Sequence, residues 1–254
     1  MQAISFQLYS ARNFQPFSEV FKTVAQAGYT QVEGYSALYA ELDEAALAGL
    51  KSDLEANGLT MPTAHFSLDM IENNPSRVIE IAKAVGIEAI YCPHIMADLR
   101  PTDAEGWRDF GKRLEAAGAP LVEAGHSFGW HNHDFEFVAL PSGEIPMELI
   151  FHGGPNLRWE ADIAWVVRGG ADPFDWIDRY GSRIGAVHVK DIAPVGEAAD
   201  EDGWADVGHG TVDWPKLFPI LEATPAKYFI VEHDNPKDVK RLADRSIASI
   251  RTYG

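Results

Sequence analysis

Residues 60–93 read TMPTAHFSLDMIENNPSRVIEIAKAVGIEAIYCP. A short β-prone run (60–66) gives way to a helical stretch (75–85), a stopping glycine at Gly86 and a second β-prone run (89–93). Strand, helix, glycine, strand is the grammar of a βαβ unit, whose two strands run parallel. Reading outward in both directions finds the same unit repeatedly. Candidate strands fall at 3–8, 31–33, 60–66, 89–93, 127–133, 157–162, 184–190 and 228–232, eight in all. Helical stretches fall between them at 16–27, 41–56, 75–85, 107–124 and 173–180, ending at or beside Gly28, Gly58, Gly86, Gly125 and Gly181. The first carries Phe17, Val20, Phe21 and Val24 at helical spacing. Eight such units in 254 residues predict a single (β/α)8 TIM barrel over 1–254, since such barrels run to roughly 250 residues as one domain. A doubly wound open sheet is the competing arrangement. No GxGxxG turn follows the first strand, which weakens a dinucleotide-binding form of it.

Composition narrows function by exclusion. The chain is 46% hydrophobic and 23% charged, ordinary for a globular protein. Its formal net charge is −17 and no cluster of Lys and Arg stands out, so no nucleic-acid partner is expected. No apolar run approaches the roughly 18 residues of a membrane span, and no membrane association is expected. The opening MQAISFQLYS lacks the pattern of a secretory signal, and Cys92 is the only cysteine, so the expected location is cytoplasmic. Cys92 itself reads as packing.

Strand residues in a parallel barrel alternate between the interior and the helix layer, and chemistry collects at strand C-termini. In strand five Phe128 and Trp130 face the helices, which turns His131 and His133 inward. In strand six the inward residues are Glu160 and Asp162; in strand seven, His188 and Lys190; strand eight ends on Glu232. Four consecutive strands therefore end on a His or carboxylate of one parity. His131, Asp162, His188 and Glu232 make a mixed nitrogen–oxygen set for one divalent metal ion, Mn²⁺ foremost, with Co²⁺, Fe²⁺, Mg²⁺ or Zn²⁺ as the other ions. His133 shares the face of His131 and is the alternative strand-five ligand. Glu33, His65 and Trp165 are candidate substrate-binding residues at the pocket wall. The tryptophans at 107, 130, 159, 176 and 214 read as helix–barrel core. The acidic, glycine-containing stretch 191–210 follows a ligand-bearing strand and is expected to cover the barrel mouth as a mobile lid.

These residues carry a resemblance. The segments GWHNHDFEF (129–137), VHVKD (187–191) and VEHD (231–234), supported by AHFS (64–67) and VGHGTVDW (207–214), resemble the sugar phosphate isomerase/epimerase group of xylose-isomerase-like barrels over nearly the whole chain. Members of that group include ketose 3-epimerases, inositol-catabolic isomerases and dehydratases, and enzymes acting on 3-keto sugars and glycosides. The resemblance implies a Glu, Asp, His, Glu metal set, in which Asp162, His188 and Glu232 match the last three members. The chain departs from it at strand five, where His131 stands in place of Glu, and after Asp162, where Trp165 stands in place of a sugar-contacting His.

The expected activity is that of a divalent-metal-dependent sugar isomerase/epimerase. Glu232 would abstract a proton next to the carbonyl of a keto-sugar or polyol ketone, giving an enediolate, with His133 and Lys190 returning the proton or holding the oxyanion. For Lys190 the structural alternative is an ion pair to Glu160. The departure at strand five leaves a second outcome open: elimination from a 3-keto-glycoside or keto-inositol by a lyase or dehydratase. A non-catalytic sugar-binding barrel is a further alternative, and an endonuclease IV-like enzyme is opposed by the charge. Expected partners are a small-molecule sugar or keto-sugar, unphosphorylated for want of a basic cluster. A homo-oligomer is compatible with all of these readings.

Overall fold

The computed structural model describes residues 3–40 and 42–253. Its strands are Ile4–Gln7, Gln31–Gly34, Thr60–His65, Ala89–Cys92, Ser127–His131, Arg158–Asp162, Ile184–Val189 and Tyr228–Val231, here strands one to eight. Each pairs in parallel with its neighbour in sequence, and strand one closes on strand eight. This is the predicted (β/α)8 barrel, and it rules out the open sheet. The strands fall where the β-prone runs do, but six of the eight, strands five, seven and eight among them, end a residue or two sooner: His133, Lys190 and Glu232 sit just beyond the ladder, on the strand-to-helix turns.

The predicted helices stand at Phe17–Ala27, Glu44–Ala56, Pro75–Val85, Ala104–Glu123 and Pro173–Tyr180. Of the stretch expected from residue 41, Glu41 itself lies outside the described residues. Gly28 and Gly86 end their helices with φ of 103° and 82°, values that glycine adopts without strain. Helices not anticipated are Ser36–Tyr39, Leu68–Asn73, Pro146–Gly153, Ile163–Arg168, Trp214–Glu222 and Val239–Ile250. Ile163–Arg168 was hidden because it starts directly off strand six, with the Asp162 side chain capping the Trp165 amide at 2.9 Å. Its run of Ile163, Val166 and Val167 carries β-prone residues.

Two cores result. The large one fills the layer between barrel and helices and takes in Trp107, Trp130, Trp159, Trp176 and Trp214, as expected. Cys92 is fully buried in it, and burial pushes its thiol up to about 12, so it is packing. A small apolar plug of Ala89, Tyr91, Ala186, Tyr228 and Ile230 occupies part of the barrel interior. The rest of the interior is polar and buried: Ser5, Gln7, Glu33, Thr63, His65, His131, Glu160, Asp162 and His188. Register decides which of these meet, since Asp162 lies beside His188, and His131 beside Glu160.

Two helical glycines separate propensity from packing. A Cβ on Gly49, in Glu44–Ala56, meets nothing within 4 Å. A Cβ on Gly111, in Ala104–Glu123, would lie 2.2 Å from the Ile150 carbonyl oxygen of the neighbouring helix Pro146–Gly153. Gly49→Ala should stabilise by about 0.5–1 kcal/mol through helix propensity alone. Gly111→Ala should destabilise by about 1–3 kcal/mol despite the same gain, because backbone cannot yield as a side chain can. Urea unfolding of the two variants gives both signs.

Candidate functional site

The C-terminal ends of the strands open into a cavity of about 760 Å³. His65 and Trp165 reach its wall, where the sequence reading put them, and so do His131, His133 and Glu232. Asp202 reaches it from the stretch 191–210 expected at the mouth, and the sequence reading missed Tyr9, Arg12, Tyr35, His94 and Asp234, which also line it. Most follow the ends of strands one, two, four and eight, where position alone could have flagged them. The Arg12 guanidinium lies over the Tyr9 ring, 3.9 Å from its centroid, and donates from Nη1 to the Tyr9 carbonyl at 2.9 Å.

Beneath this cavity His131, Asp162, His188 and Glu232 converge, each with a ligand-type atom within 4.8 Å of the other three. The strand-five member of the cluster is His131; His133 stands off the strand, its ring 5.1 Å from His131 and 5.2 Å from Trp165. The buried carboxylate Glu136 fixes the turn that carries His133. It accepts Trp130 Nε1 at 2.8 Å and the His133 amide at 2.9 Å, and burial raises its pKa to about 8. Asn132 locks strand five to strand six, accepting Trp159 Nε1 at 2.7 Å and the Asp162 amide at 3.0 Å.

The two imidazoles of the quartet are each held by a carboxylate from below. His131 Nδ1 lies 3.0 Å from Glu160 Oε2, and His188 Nε2 lies 2.7 Å from Glu33 Oε1. Burial, with His188 and His65 beside it, pushes the pKa of His131 well down, so this ring is neutral; donating Nδ1–H to Glu160 leaves Nε2 with a free lone pair. Burial opposes the charge on His188 too, but Glu160, Glu232 and Glu33 outweigh it and raise its pKa. His188 Nδ1 faces Glu232 Oε2 at 2.9 Å.

Glu33 was expected on the pocket wall. It lies below the wall instead, fully buried, bound to His188, to Gln7 Nε2 at 2.7 Å and near His65 Nε2 at 3.2 Å. It positions His188 and has no route to a substrate. His65 forms the pocket floor, stacked 5.3 Å from His188, with Nε2 2.5 Å from Glu160 Oε2.

Asp162 is divided between two duties. Oδ1 caps the helix after strand six, while Oδ2 is buried with no hydrogen-bond partner and faces Lys190 Nζ at 3.6 Å. Burial raises the Asp162 pKa to about 6 against the pull of Lys190 and His188. A deeper cluster, His65, His131, Glu160 and His188, also brings ligand-type atoms within 4.8 Å. Its carboxylate is already bonded to two of its own imidazoles. Each set keeps one buried carboxylate oxygen without a hydrogen-bond partner, Asp162 Oδ2 above and Glu160 Oε1 below; the upper quartet is the one that opens to the cavity, through His131 and Glu232, so it is the set a cation fits.

Lys190 does pair with carboxylates, but not with Glu160. Its ammonium lies 2.6 Å from Asp234 Oδ1, 3.4 Å from Glu232 Oε2 and under the Trp204 ring at 4.1 Å. Burial disfavours the charge, yet Asp234, Glu232 and Asp162 outweigh it and raise the pKa, so Lys190 is a fixed cation and no proton carrier near neutral pH. Burial also opposes the charge on Glu232, and there Lys190 and His188 win, keeping it ionised.

The stretch 191–210 does lie at the mouth. It is built as a wall: Asp191–Ile192 pairs antiparallel with Trp204–Ala205, and the Asp191 carboxylate accepts the amides of Ile192, Gly208, Gly210 and Val212. Buried Trp204 packs edge-on against Trp165 at 4.7 Å, and together they roof Lys190.

Among the described residues no helix is long and apolar enough to cross a membrane. No curated protein sequence matches the chain. Among solved structures it is similar to a sugar phosphate isomerase/epimerase from Parabacteroides distasonis, with TM-score 0.80, 20% identity, and coverage of 96% of this chain and 92% of that one. It is similar to 3-keto-D-glucoside 4-epimerase from E. coli, with TM-score 0.71, 17% identity, and coverage of 99% and 100%. A third likeness is a xylose isomerase-like TIM barrel protein from Mycobacterium smegmatis in complex with magnesium, with TM-score 0.74, 14% identity, and coverage of 100% and 97%. At these identities the likeness is one of fold. The family model for the xylose isomerase-like TIM barrel matches residues 21–253, so the chain belongs to the xylose isomerase-like TIM-barrel family.

Proposed function

We propose that the barrel mouth is the active site of a divalent-metal-dependent sugar isomerase or epimerase acting on a keto-sugar. The observation that carries this reading is the buried quartet under an aromatic-walled cavity, with Asp162 Oδ2 left without a hydrogen bond where a cation would satisfy it. His131, Asp162, His188 and Glu232 would hold the ion. Two nitrogens and two oxygens suit Mn²⁺ and its first-row neighbours, and a magnesium complex among the fold neighbours is in keeping with that. Bound, the ion supplies Lewis acidity for the charge that grows on a substrate carbonyl oxygen.

The chain's own residues do the rest. Glu232 reaches both the quartet and the cavity wall and is the group placed to take a proton from the carbon next to the carbonyl. Lys190 adds a fixed positive charge that favours the enediolate, a role for charge and not for proton transfer. His133 keeps a buried, unpartnered Nδ1 on the wall, and burial with Lys190 nearby lowers its pKa, so it is a neutral group fit to hydrogen-bond a substrate hydroxyl, while the proton taken by Glu232 is returned from Glu232. Trp165, with Tyr9 and Tyr35, offers apolar faces to a sugar ring. The Trp204–Trp165 wall keeps water from Lys190 and sharpens its field.

Three outcomes test the reading. Binding of Mn²⁺, followed by titration calorimetry after chelator treatment, should give one ion per chain. Its affinity should rise with pH through and above neutrality and fall about tenfold or more per pH unit below about pH 6, because His188, whose pKa its carboxylate neighbours raise, and Asp162 must each release a proton before they can ligate. The sign follows from the raised pKa: the ligand form is present above it and lost as pH falls through it. An affinity that rises on acidification removes Asp162 from the ligand set.

Glu33→Gln should weaken Mn²⁺ binding about 10–100-fold, although Glu33 touches neither ion nor cavity, since it orients His188. An unchanged affinity would make Glu33 a bystander.

Deuterium exchange into a panel of keto-sugars in D2O, read by NMR, reports proton abstraction directly. Glu232→Asp at saturating Mn²⁺ should bind metal and exchange at least about 10²-fold more slowly, since about 1 Å of misplacement costs that much. Exchange at the wild-type rate would leave Glu232 a ligand only. Release of aglycone or water during the assay would turn the reading from isomerisation to elimination.

A further inference from the structure

The opposite end of the barrel holds a second cavity, of about 460 Å³, which the proposed reaction does not use. It lies at the N-terminal ends of strands four to eight, against the underside of the apolar plug. Small residues make the room. A Cβ on Gly185 would stand 2.6 Å from Tyr91 Oη and 3.5 Å from Arg158 Nε, so the phenol and the guanidinium meet over bare backbone.

Its wall carries two cationic side chains, Arg158 and Lys227, in an acidic chain. The net charge is −17, and the ion-paired arginines among the described residues are Arg77, Arg108, Arg113, Arg179, Arg241 and Arg245. Arg158 is not one of them; its one hydrogen bond there runs from Nη2 to the Ile184 carbonyl at 3.3 Å. Lys227 lines the same cavity. The carboxylate at the rim, Glu88, already accepts the Tyr228 hydroxyl at 2.6 Å. Tyr91 Oη is buried with no partner, and so is Nε2 of His126, whose Nδ1 donates to the Ile87 carbonyl at 2.9 Å. A buried hydroxyl without a partner is costly, and a guanidinium beside it with no carboxylate of its own is free to bind an anion.

We propose that this basal cavity binds a small oxyanion, phosphate- or carboxylate-bearing, with Arg158 as its charge partner and Tyr91 as a buried hydrogen-bond donor. The volume admits a small metabolite as well as an inorganic ion. Burial holds the Tyr91 hydroxyl far above the ordinary phenol range, with Glu160 and Glu33 reinforcing the shift, so it stays protonated and can donate. Arg158 shares its strand face with Glu160 and Asp162 but points to the other end of the barrel, so this site is separate from the cavity at the mouth.

Calorimetric titration of the full chain with inorganic phosphate, and separately with malonate, at an ionic strength held constant with chloride, tests the proposal. Saturable 1:1 binding of either anion is expected, and the stronger of the two identifies the source of the charge. Arg158→Gln should weaken it at least about tenfold and Tyr91→Phe about three- to tenfold, as loss of charge-assisted hydrogen bonds does. Lys227→Gln, a change at an exposed position, should weaken it a few-fold and keeps the test decisive if Arg158→Gln does not fold. Absence of saturable binding of both anions overturns the site. So does binding that all three variants retain unchanged, which would put the anion elsewhere on the molecule.

Discussion

Desolvated charge on the barrel axis is the constraint on which the rest of the structure depends. Glu33, Glu160, Asp162, His188 and Lys190 have no exposure at all, and His65 and His131 have 5% and 2%. A carboxylate or ammonium isolated there would shed its charge. None is isolated. Glu33 faces His188, Glu160 faces His65 and His131, and Lys190 lies among Asp234, Glu232 and Asp162. The arrangement holds because parallel strands place residues of one parity at fixed heights around the axis. Shifting any one strand by a single residue would send its polar set into the helix layer.

Register alone would not orient the rings. Asn132 ties strand five to strand six through three hydrogen bonds, two accepted and one donated, and so sets His131 against Glu160. Asp162 ends a strand and begins a helix in the same side chain, which fixes one of its oxygens and frees the other. Asp191 gathers four amides and draws the following loop across the mouth, carrying Trp204 onto Lys190. Each of these residues acts on the site without standing in it. The same division runs along the barrel axis, with the polar cluster above the apolar plug and the Arg158 cavity below.

Much of this was legible beforehand, and the rest failed for identifiable reasons. Alternation within strands five to seven correctly put His131, Asp162 and His188 on one face, because period-two geometry is local. Parity was extended too far at His133, where the ladder had already ended. The helix Val239–Ile250 carried its signal openly, with Val239, Leu242, Ala243, Ile247 and Ile250 buried at helical spacing, and it went unread. Lys190 was matched to Glu160, its inward neighbour by parity one strand away, yet its long side chain rises toward Asp234 after strand eight.

The sequence by itself determined the barrel, the strands that carry the polar ends and the identity of the four converging residues. Those follow from patterns a few residues long: apolar alternation, helix periodicity and glycine stops. Only the tertiary structure decided that Glu33 serves His188 and stays off the pocket wall, that Lys190 is a caged cation, and that Tyr9, Arg12 and Asp234 share the mouth with residues far away in sequence. Those facts depend on the closure of strand one against strand eight and on side-chain reach across the axis. Neither leaves a local trace, because the forces that fix them, desolvation and charge pairing, act between residues brought together only when the barrel closes.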